Sequence, residues 1–528
     1  MNLKRSMTLA ACLGLSAALT VSAFASTSHF EDSSAQDDWD AWTKEWETVS
    51  ADYTKVSIAP GRDETELNFA WQSRVEEGKD ATPVVLLGTD ENSLTEYTGK
   101  TTGVDAEYTG SDAYVSNKVT VTGLEPDTTY YYAVERNGEP SDVQTITTGN
   151  PSDFKFMFVG DPQIGASKGQ PQGDGELAEE SGVDNTAARN DAYAWDRTLD
   201  IATAQDPDID FIVSAGDQVN HTGSAKEEEY AGFLNASALA NLPIATTIGN
   251  HDSLNDDYAN HFNAPNMTEN GTTAAGGDYY YSYGNVLFIV LNTNNYNVAE
   301  HEETIKGAAD SDSDAQWRIA CLHQDIYGSG LDHSETDGMI LRTQLTPVFD
   351  NYDIDVVLQG HDHTYSRTKL LTSDGEDHDS YEFRLNAGGT DYDWDHAHDT
   401  TTDQMIAFAE ETEEGQTENA EAESEFQSKL DAFRADNNCY IIEDTNSSEV
   451  TDPAGILYMT ANSASGSKYY ELLPTQQDYV AYRSQNWLPS YSVIEIKGDT
   501  FTINTYQVND DGTTEQIDDT FTITKTAR

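Results

Sequence analysis

Five times between Phe154 and His363 a short apolar run stops at a group whose side chains can bind metal or carry protons. Phe154 to Val159 leads into Gly160, Asp161, Pro162 and Gln163, and Phe211 to Ser214 into Gly216, Asp217, Gln218, Val219 and Asn220. Ile244 to Ile248 leads into Gly249, Asn250, His251 and Asp252, Ile319 to Leu322 into His323, and Val356 to Leu358 into Gly360, His361, Asp362 and His363. A sixth run, Val286 to Leu291, ends on no such group. Runs of this length separated by loops and helix-like stretches predict a layered α/β domain. In such sheets the strand ends gather at one edge, so residues far apart in sequence meet there. The glycines permit the sharp exit from each strand.

The side chains offered are carboxylate, amide and imidazole, with no thiolate. Such donors suit Fe, Mn or Zn rather than iron-sulfur chemistry. If one carboxylate bridges, seven residues suffice for two ions: Asp161, Asp217, Asn220, Asn250, His323, His361 and His363. A glycine followed by aspartate after a strand is an ordinary turn, and no single motif carries the argument. The ordered set does, against the plainer alternative of a scaffold that kept the fold and lost its activity.

Ahead of this domain, Thr65 to Trp71, Thr82 to Leu87, Lys118 to Val121 and Thr129 to Val134 are short β-rich runs broken by turn signals. That spacing predicts an all-β sandwich over residues 54–149. The stretch from Val121 through Gly123 and Pro126 to Tyr130, Tyr131 and Tyr132 resembles a fibronectin type III turn and strand, and also the amino-terminal domain of purple acid phosphatases. Residues 26–53 form an acidic segment with Trp39, Trp42 and Trp46 interleaved, compatible with a short helix or a clasp against the next domain. The catalytic domain is expected over 152–528, with an acidic insertion at about 400–450 that includes Glu410 to Glu414 and Ala420 to Glu425 and reads as a solvated helix or disordered segment. Gly455 to Met459, Tyr491 to Ile496 and Phe501 to Tyr506 are expected to close its second sheet.

At the five motifs the chain resembles the metallophosphoesterase superfamily, and with its sandwich it is similar to the purple acid phosphatase branch. The resemblance implies a four-layer α/β domain, two packed mixed sheets flanked by helices, around two divalent or mixed-valence ions (Fe, Zn or Mn). It implies that Asp217 bridges the ions, that Asp161 and His363 hold the first, and that Asn250, His323 and His361 hold the second. His251 matches the residue that contacts phosphate or protonates the leaving group, and Asp252 is expected to orient it. Two departures stand out. Purple acid phosphatases carry a tyrosine three residues after the bridging aspartate, where this chain has Asn220. Other branches carry a histidine two residues after the first aspartate, where it has Gln163. The Asn220 amide oxygen, a water or His221 are the three candidates for the vacant position. The mechanism implied is in-line attack of a water-derived hydroxide on the phosphorus of a phosphorylated small molecule.

Lys plus Arg is 28 against 94 Asp plus Glu, a formal net charge of -66. Such a field argues against nucleic acid and anionic membranes as electrostatic partners. An anionic substrate remains compatible with it, because metal charge in the site outweighs the distant field. Residues 1–25, with Lys4 and Arg5 before an apolar stretch and Ala23, Phe24 and Ala25 at its end, read as a signal peptide, giving an expectation of export without membrane insertion. Cys12 lies in that stretch, Cys321 reads as a buried small hydrophobe, and nothing supports its pairing with Cys439.

Other residues invite a weaker reading. His396 and His398 are expected in a polar loop, Tyr365 and Arg367 in packing or surface roles as readily as on substrate, and His301 and His333 at the surface. Tyr279, Tyr280, Tyr281 and Tyr283 read as a sheet edge. Three functions compete: an acid phosphatase acting on monoesters, a phosphodiesterase or nucleotide hydrolase on the same centre, and a non-catalytic surface binding protein.

Overall fold

The computed structural model describes residues 36–76, 82–111, 113–170, 177–179, 185–331, 338–376, 378, 381–385, 392–401, 404–405, 438–444 and 447–526. The expected signal peptide, His333 and most of the acidic insertion lie outside the described residues.

Alternation builds the sandwich. Along Glu66–Arg74, Leu67, Phe69 and Trp71 point into one apolar core with Ile58, Val85, Val119 and Tyr132. This strand joins Val56–Pro60, Tyr114–Thr122 and Lys100–Gly103 in one sheet, and a second sheet holds Thr95–Thr98, Val84–Gly88, Thr129–Arg136, Glu139–Pro140 and Gln144–Thr147. Part of the opposite face of the first sheet is covered as well. Asn68, Ala70 and Gln72 are buried too, because Ser57 and Ser116 donate to the carbonyls of His261 and Asn260 in the following domain.

The same period of two sorts the second domain into four layers. On Asp153–Val159, Phe154, Phe156 and Phe158 face a core between two sheets, while Met157 and Val159 face a helical layer. On Val286–Leu291, Val286, Phe288 and Val290 face the same inter-sheet core, and Leu287, Ile289 and Leu291 face the outer layer on the other side. The first sheet runs Ile244–Thr246, Ile209–Ser214, Asp153–Val159, Ser490–Lys497, Thr500–Val508, Phe521–Thr524, Glu449–Thr451, and the second Tyr279–Tyr283, Val286–Leu291, Trp317–Leu322, Val356–Gln359, Leu457–Thr460, Tyr365–Thr368, Val480–Ser484. Thr186–Gln205 covers the first sheet with an apolar stripe of Ala188, Ala192, Trp195, Leu199 and Ala202, and Asn185 caps its first turn. The four-layer expectation holds. The three carboxyl-terminal runs, however, do not close one sheet: Leu457–Thr460 enters the second, whereas Ser490–Lys497 pairs antiparallel with Asp153–Val159 in the first.

The tryptophan segment is a helix, Gln36–Val49, that buries Trp42, Trp46 and Val49. It docks on the helical layer of the second domain, where Trp42 Nε1 donates to the Arg189 carbonyl at 2.8 Å. The expected clasp exists, but on the domain after next. Tyr279–Tyr283 is a sheet edge as expected. Cys321 and Cys439 are buried and are not joined in a disulfide. His396 and His398 lie on the strand Tyr392–Asp399 rather than in a loop. Tyr365 and Arg367 are structural, both bonded to the buried Asp518. His301 is the clearest correction. It is fully buried and bonded through Nδ1 to Asp278 at 2.9 Å, because one face of Val298–Ser311 is apolar and carries the imidazole inward.

Candidate metal centre

Parallel strands set the geometry. Asp153–Val159, Ile209–Ser214 and Ile244–Thr246 run parallel in the first sheet, so Asp161, Asp217 and Asn250 leave it at one edge. Trp317–Leu322 and Val356–Gln359 run parallel in the second, delivering His323, His361 and His363. Oxygen donors therefore come from one sheet and imidazoles from the other, and they meet across the rim of the inter-sheet core.

Close approach demands the glycines at two positions. Gly216 has φ +113°, and a Cβ there would lie 2.5 Å from His323 Nδ1, while a Cβ on Gly249 would lie 2.0 Å from Asp217 Oδ1. Beside them the backbone is strained: Asp161, Gln163, Asp217, His361 and His363 take φ of 47°, 38°, 48°, 70° and 46°. Left-handed conformations cost non-glycine residues on the order of 1 kcal/mol or more each and concentrate where function requires them.

The donor atoms converge. Asp161, Asp217 and His323 each place one ligand atom within 4.8 Å of the others, all buried. His323 Nδ1 lies 2.9 Å from the Ala215 carbonyl, which only accepts, so its proton sits there. Its Nε2 then faces Asn250 Oδ1 at 2.9 Å, His361 Nδ1 at 3.1 Å and Asp217 Oδ1 at 3.5 Å. His363 is fixed likewise, with Nδ1 2.8 Å from the Lys468 carbonyl and Nε2 3.7 Å from Asp161 Oδ1. Tying the outer nitrogen to a carbonyl fixes the tautomer and aims the inner lone pair. With the proton on Nδ1, Nε2 turns a lone pair toward two oxygens and a second imidazole nitrogen, contacts that a shared cation would satisfy together, and the residues thus fit the ions their chemistry suggests.

Charge tells the same story. Burial, with Asp217 beside it, holds the Asp161 carboxyl well above the usual carboxylate range. Burial also acts to raise Asp217, but His323, His251 and His361 outweigh it and bring the group down to about 2. Two adjacent buried carboxylates are a poor arrangement without compensating positive charge.

The remaining expected residues are placed as follows. His251 is partly exposed at the mouth, with its backbone N–H on Asp217 Oδ1 at 2.9 Å and Nε2 4.0 Å from Asp217 Oδ2. Its Nδ1 bonds the Asn220 carbonyl. Asp252 instead accepts from the backbone of Gly249 at 3.0 Å and Gln218 at 3.3 Å. The orienting duty expected of Asp252 therefore falls to Asn220, and Asp252 holds the two ligand loops together. The Asn220 amide oxygen, expected on the first ion, accepts from Gln163 Nε2 at 3.3 Å. His221 accepts from Gly223 N within its own turn.

Several supporting residues escaped the sequence reading. Glu229 receives the backbone N–H groups of Asn220 and His221 at 2.9 and 2.8 Å. Asp191 receives those of Gly165 and Ser167 at 2.8 and 3.1 Å, fixing the loop after Asp161. The sixth apolar run supports the site as well: Asn294 donates to the Ile248 carbonyl at 2.8 Å and accepts from Gln324, the neighbour of His323. An acidic side chain on a helix or an asparagine after a strand has many other uses, so no local pattern marks these.

Comparison with known proteins agrees with this geometry. Calcineurin-like phosphoesterase sequences match residues 154–365, the span that holds Asp161, Asp217, Asn220, Asn250, His251, Asp252, His323, His361 and His363. The chain carries a calcineurin-like phosphoesterase domain. Ahead of the phosphoesterase domain, residues 53–148 match the purple acid phosphatase N-terminal domain. Two uncharacterised proteins, from two strains of Mycobacterium tuberculosis, are 24% identical over 341 residues, and the match covers 58% of this chain and 60% of each relative. The structure of a purple acid phosphatase from yellow lupin (Lupinus luteus) seeds shares the fold at TM-score 0.55 and 15% identity, covering 90% of this chain and 74% of that one. A structure of PhoD aligns at TM-score 0.49 and 12% identity, over 90% of this chain and 95% of that one.

Proposed function

We propose that the chain is a metal-dependent phosphoesterase that hydrolyses phosphate monoesters of small molecules, exported by the amino-terminal apolar segment. The observation that carries the hydrolytic reading is the convergence of Asp161, Asp217, Asn250, His323, His361 and His363 at one rim. Pairing with a purple acid phosphatase N-terminal domain favours the monoester. Asp161, Asp217 and His363 would hold one ion and Asp217, Asn250, His323 and His361 the other. Two such ions neutralise phosphoryl oxygens and lower the pKa of water toward neutrality.

The protein's own part follows from its hydrogen bonds. The Asn220 carbonyl keeps the His251 Nδ1 proton, so Nε2 is the nitrogen that faces Asp217 and the mouth. A proton on Nε2 is positioned for a leaving-group oxygen, general acid catalysis worth on the order of a hundredfold or more. Elemental analysis paired with rates on nitrophenyl phosphate and its bis ester across pH tests the reading. Faster turnover of the bis ester would replace the monoester assignment with a phosphodiesterase, and a protein without metal or turnover would overturn the enzyme assignment.

A further inference from the structure

Between the sandwich and the phosphoesterase domain lies a second group of ligand-type side chains that shares no residue with the rim centre. Glu227 opens the helix Glu227–Leu234, Asp257 and His261 sit one turn apart on Asp257–His261, and each places a ligand atom within 4.8 Å of the other two. All three are buried, with 2%, 0% and 3% exposure. His261 Nε2 lies 3.3 Å from Glu227 Oε2 and 3.8 Å from Asp257 Oδ1.

Gln72 reaches this group from the sandwich strand Glu66–Arg74, wholly buried, with its amide nitrogen 3.1 Å from Glu227 Oε1 and 3.2 Å from His261 Nε2. Among the described residues its Oε1 has no hydrogen-bond partner, and the Asp257 carboxyl has none but the second carboxyl, that of Glu227. Amide oxygen and nitrogen exchange places when the group turns about its last bond, which directs Oε1 at the same atoms. Buried acceptors without donors are costly, and two buried carboxylates more so. Lys226 is close enough for its charge to act on Asp257, but its ammonium bonds the His251 carbonyl at 3.4 Å and lies over the Tyr230 ring.

We infer that Glu227, Asp257, His261 and Gln72 form a structural site for one divalent transition-metal ion, such as Zn2+ or Mn2+, that staples the sandwich to the phosphoesterase domain. Three oxygens and one imidazole nitrogen match the preference of these ions. Ligands about 2.0–2.2 Å from a tetrahedral Zn2+ lie roughly 3.4 Å apart, close to the separations seen here. A structural site of this kind is closed to solvent, and this one is.

The test is a difference in metal content. Full-length protein reconstituted with Zn2+ and freed of excess metal should hold one more ion per chain than the His261→Gln variant treated alike. The difference is independent of what the rim centre binds, so it stands or falls apart from the proposed hydrolysis. Equal content in the two proteins overturns the site. If His261→Gln does not fold, Gln72→Leu, altered on the sandwich side alone, is expected to weaken retention of that ion at least tenfold against a competing chelator. Unchanged retention in Gln72→Leu also overturns it.

Discussion

The side-chain amide of Gln163 donates to that of Asn220 at 3.3 Å. The two positions at which the chain departs from the ligand pattern of the families it resembles thus close on one another, beside Asp217, whose carbonyl accepts from the Gln163 backbone at 2.8 Å. Replacing Gln163 with His breaks the pair and adds an imidazole there. The expected result is retention of the first ion improved about tenfold or more, the scale on which groups around metal ligands act, measured by competition with a chelator. With Fe3+, Asn220→Tyr should add a visible absorption band that the parent protein lacks. Unaltered retention and absorption would show that neither position adjoins the ion.

Asp217 is the residue on which both ions depend in the proposed centre, and its carboxylate also holds the His251 backbone. Asp217→Ala is expected to lose bound metal at the rim and to reduce turnover by at least about a hundredfold. Elemental analysis and a phosphatase assay read the two effects, and unchanged turnover would end the hydrolytic reading.

His251 distinguishes chemistry from packing through the leaving group. His251→Ala should slow poor leaving groups, such as alkyl phosphates, by about a hundredfold and nitrophenyl phosphate much less, since the latter needs little protonation. Asn220→Ala keeps the carbonyl that orients His251, so its leaving-group dependence should match that of the parent. Equal slowing of both substrate types by His251→Ala would deny the proton-donor role.

Asp191 predicts a pH dependence of stability. Burial raises its carboxyl from 3.8 to about 7, against four hydrogen bonds from Gly165, Ala166 and Ser167 that act to lower it. Between those values the folded chain binds the proton and the unfolded chain does not, so this group makes stability fall as pH rises from about 4 to 7. Asp191→Asn should flatten that part of the urea midpoint profile and gain relative to the parent at pH 8. A parallel profile for the two proteins would contradict the shift.

Trp46 is 4% exposed and lies over Gly232, where a Cβ would come within 3.2 Å of its ring. Trp46→Ala is expected to cost about 3–5 kcal/mol, seen as a lower denaturation midpoint, with metal content and turnover per folded molecule unchanged. A loss below about 1 kcal/mol would mean that the helix Gln36–Val49 is not docked in solution.

Much of this molecule is written locally. Apolar alternation in Phe154, Phe156 and Phe158 names a strand, and the polar groups after such strands name the chemistry, because period and ligand type are properties of neighbouring residues. The β-rich first domain and the layered second one follow from that, and the ordered motifs bring forward Asp161, Asp217, Asn250, His323, His361 and His363 as candidates, while their division between two ions came from the resemblance. Sheet order does not. Which strands share a sheet depends on long-range pairing, and so the sequence could not place Ser490–Lys497 beside Asp153–Val159 or bring oxygen donors and imidazoles from opposite sheets. Backbone groups leave no trace in a sequence, which hid the Asn220 carbonyl that orients His251. Burial of a lone polar side chain depends on what a distant segment lays over it, as Asp278 does for His301 and Gln72 for His261. The candidate ligands were legible in the chain, while their meeting point and supports arose only when two sheets and a sandwich packed together.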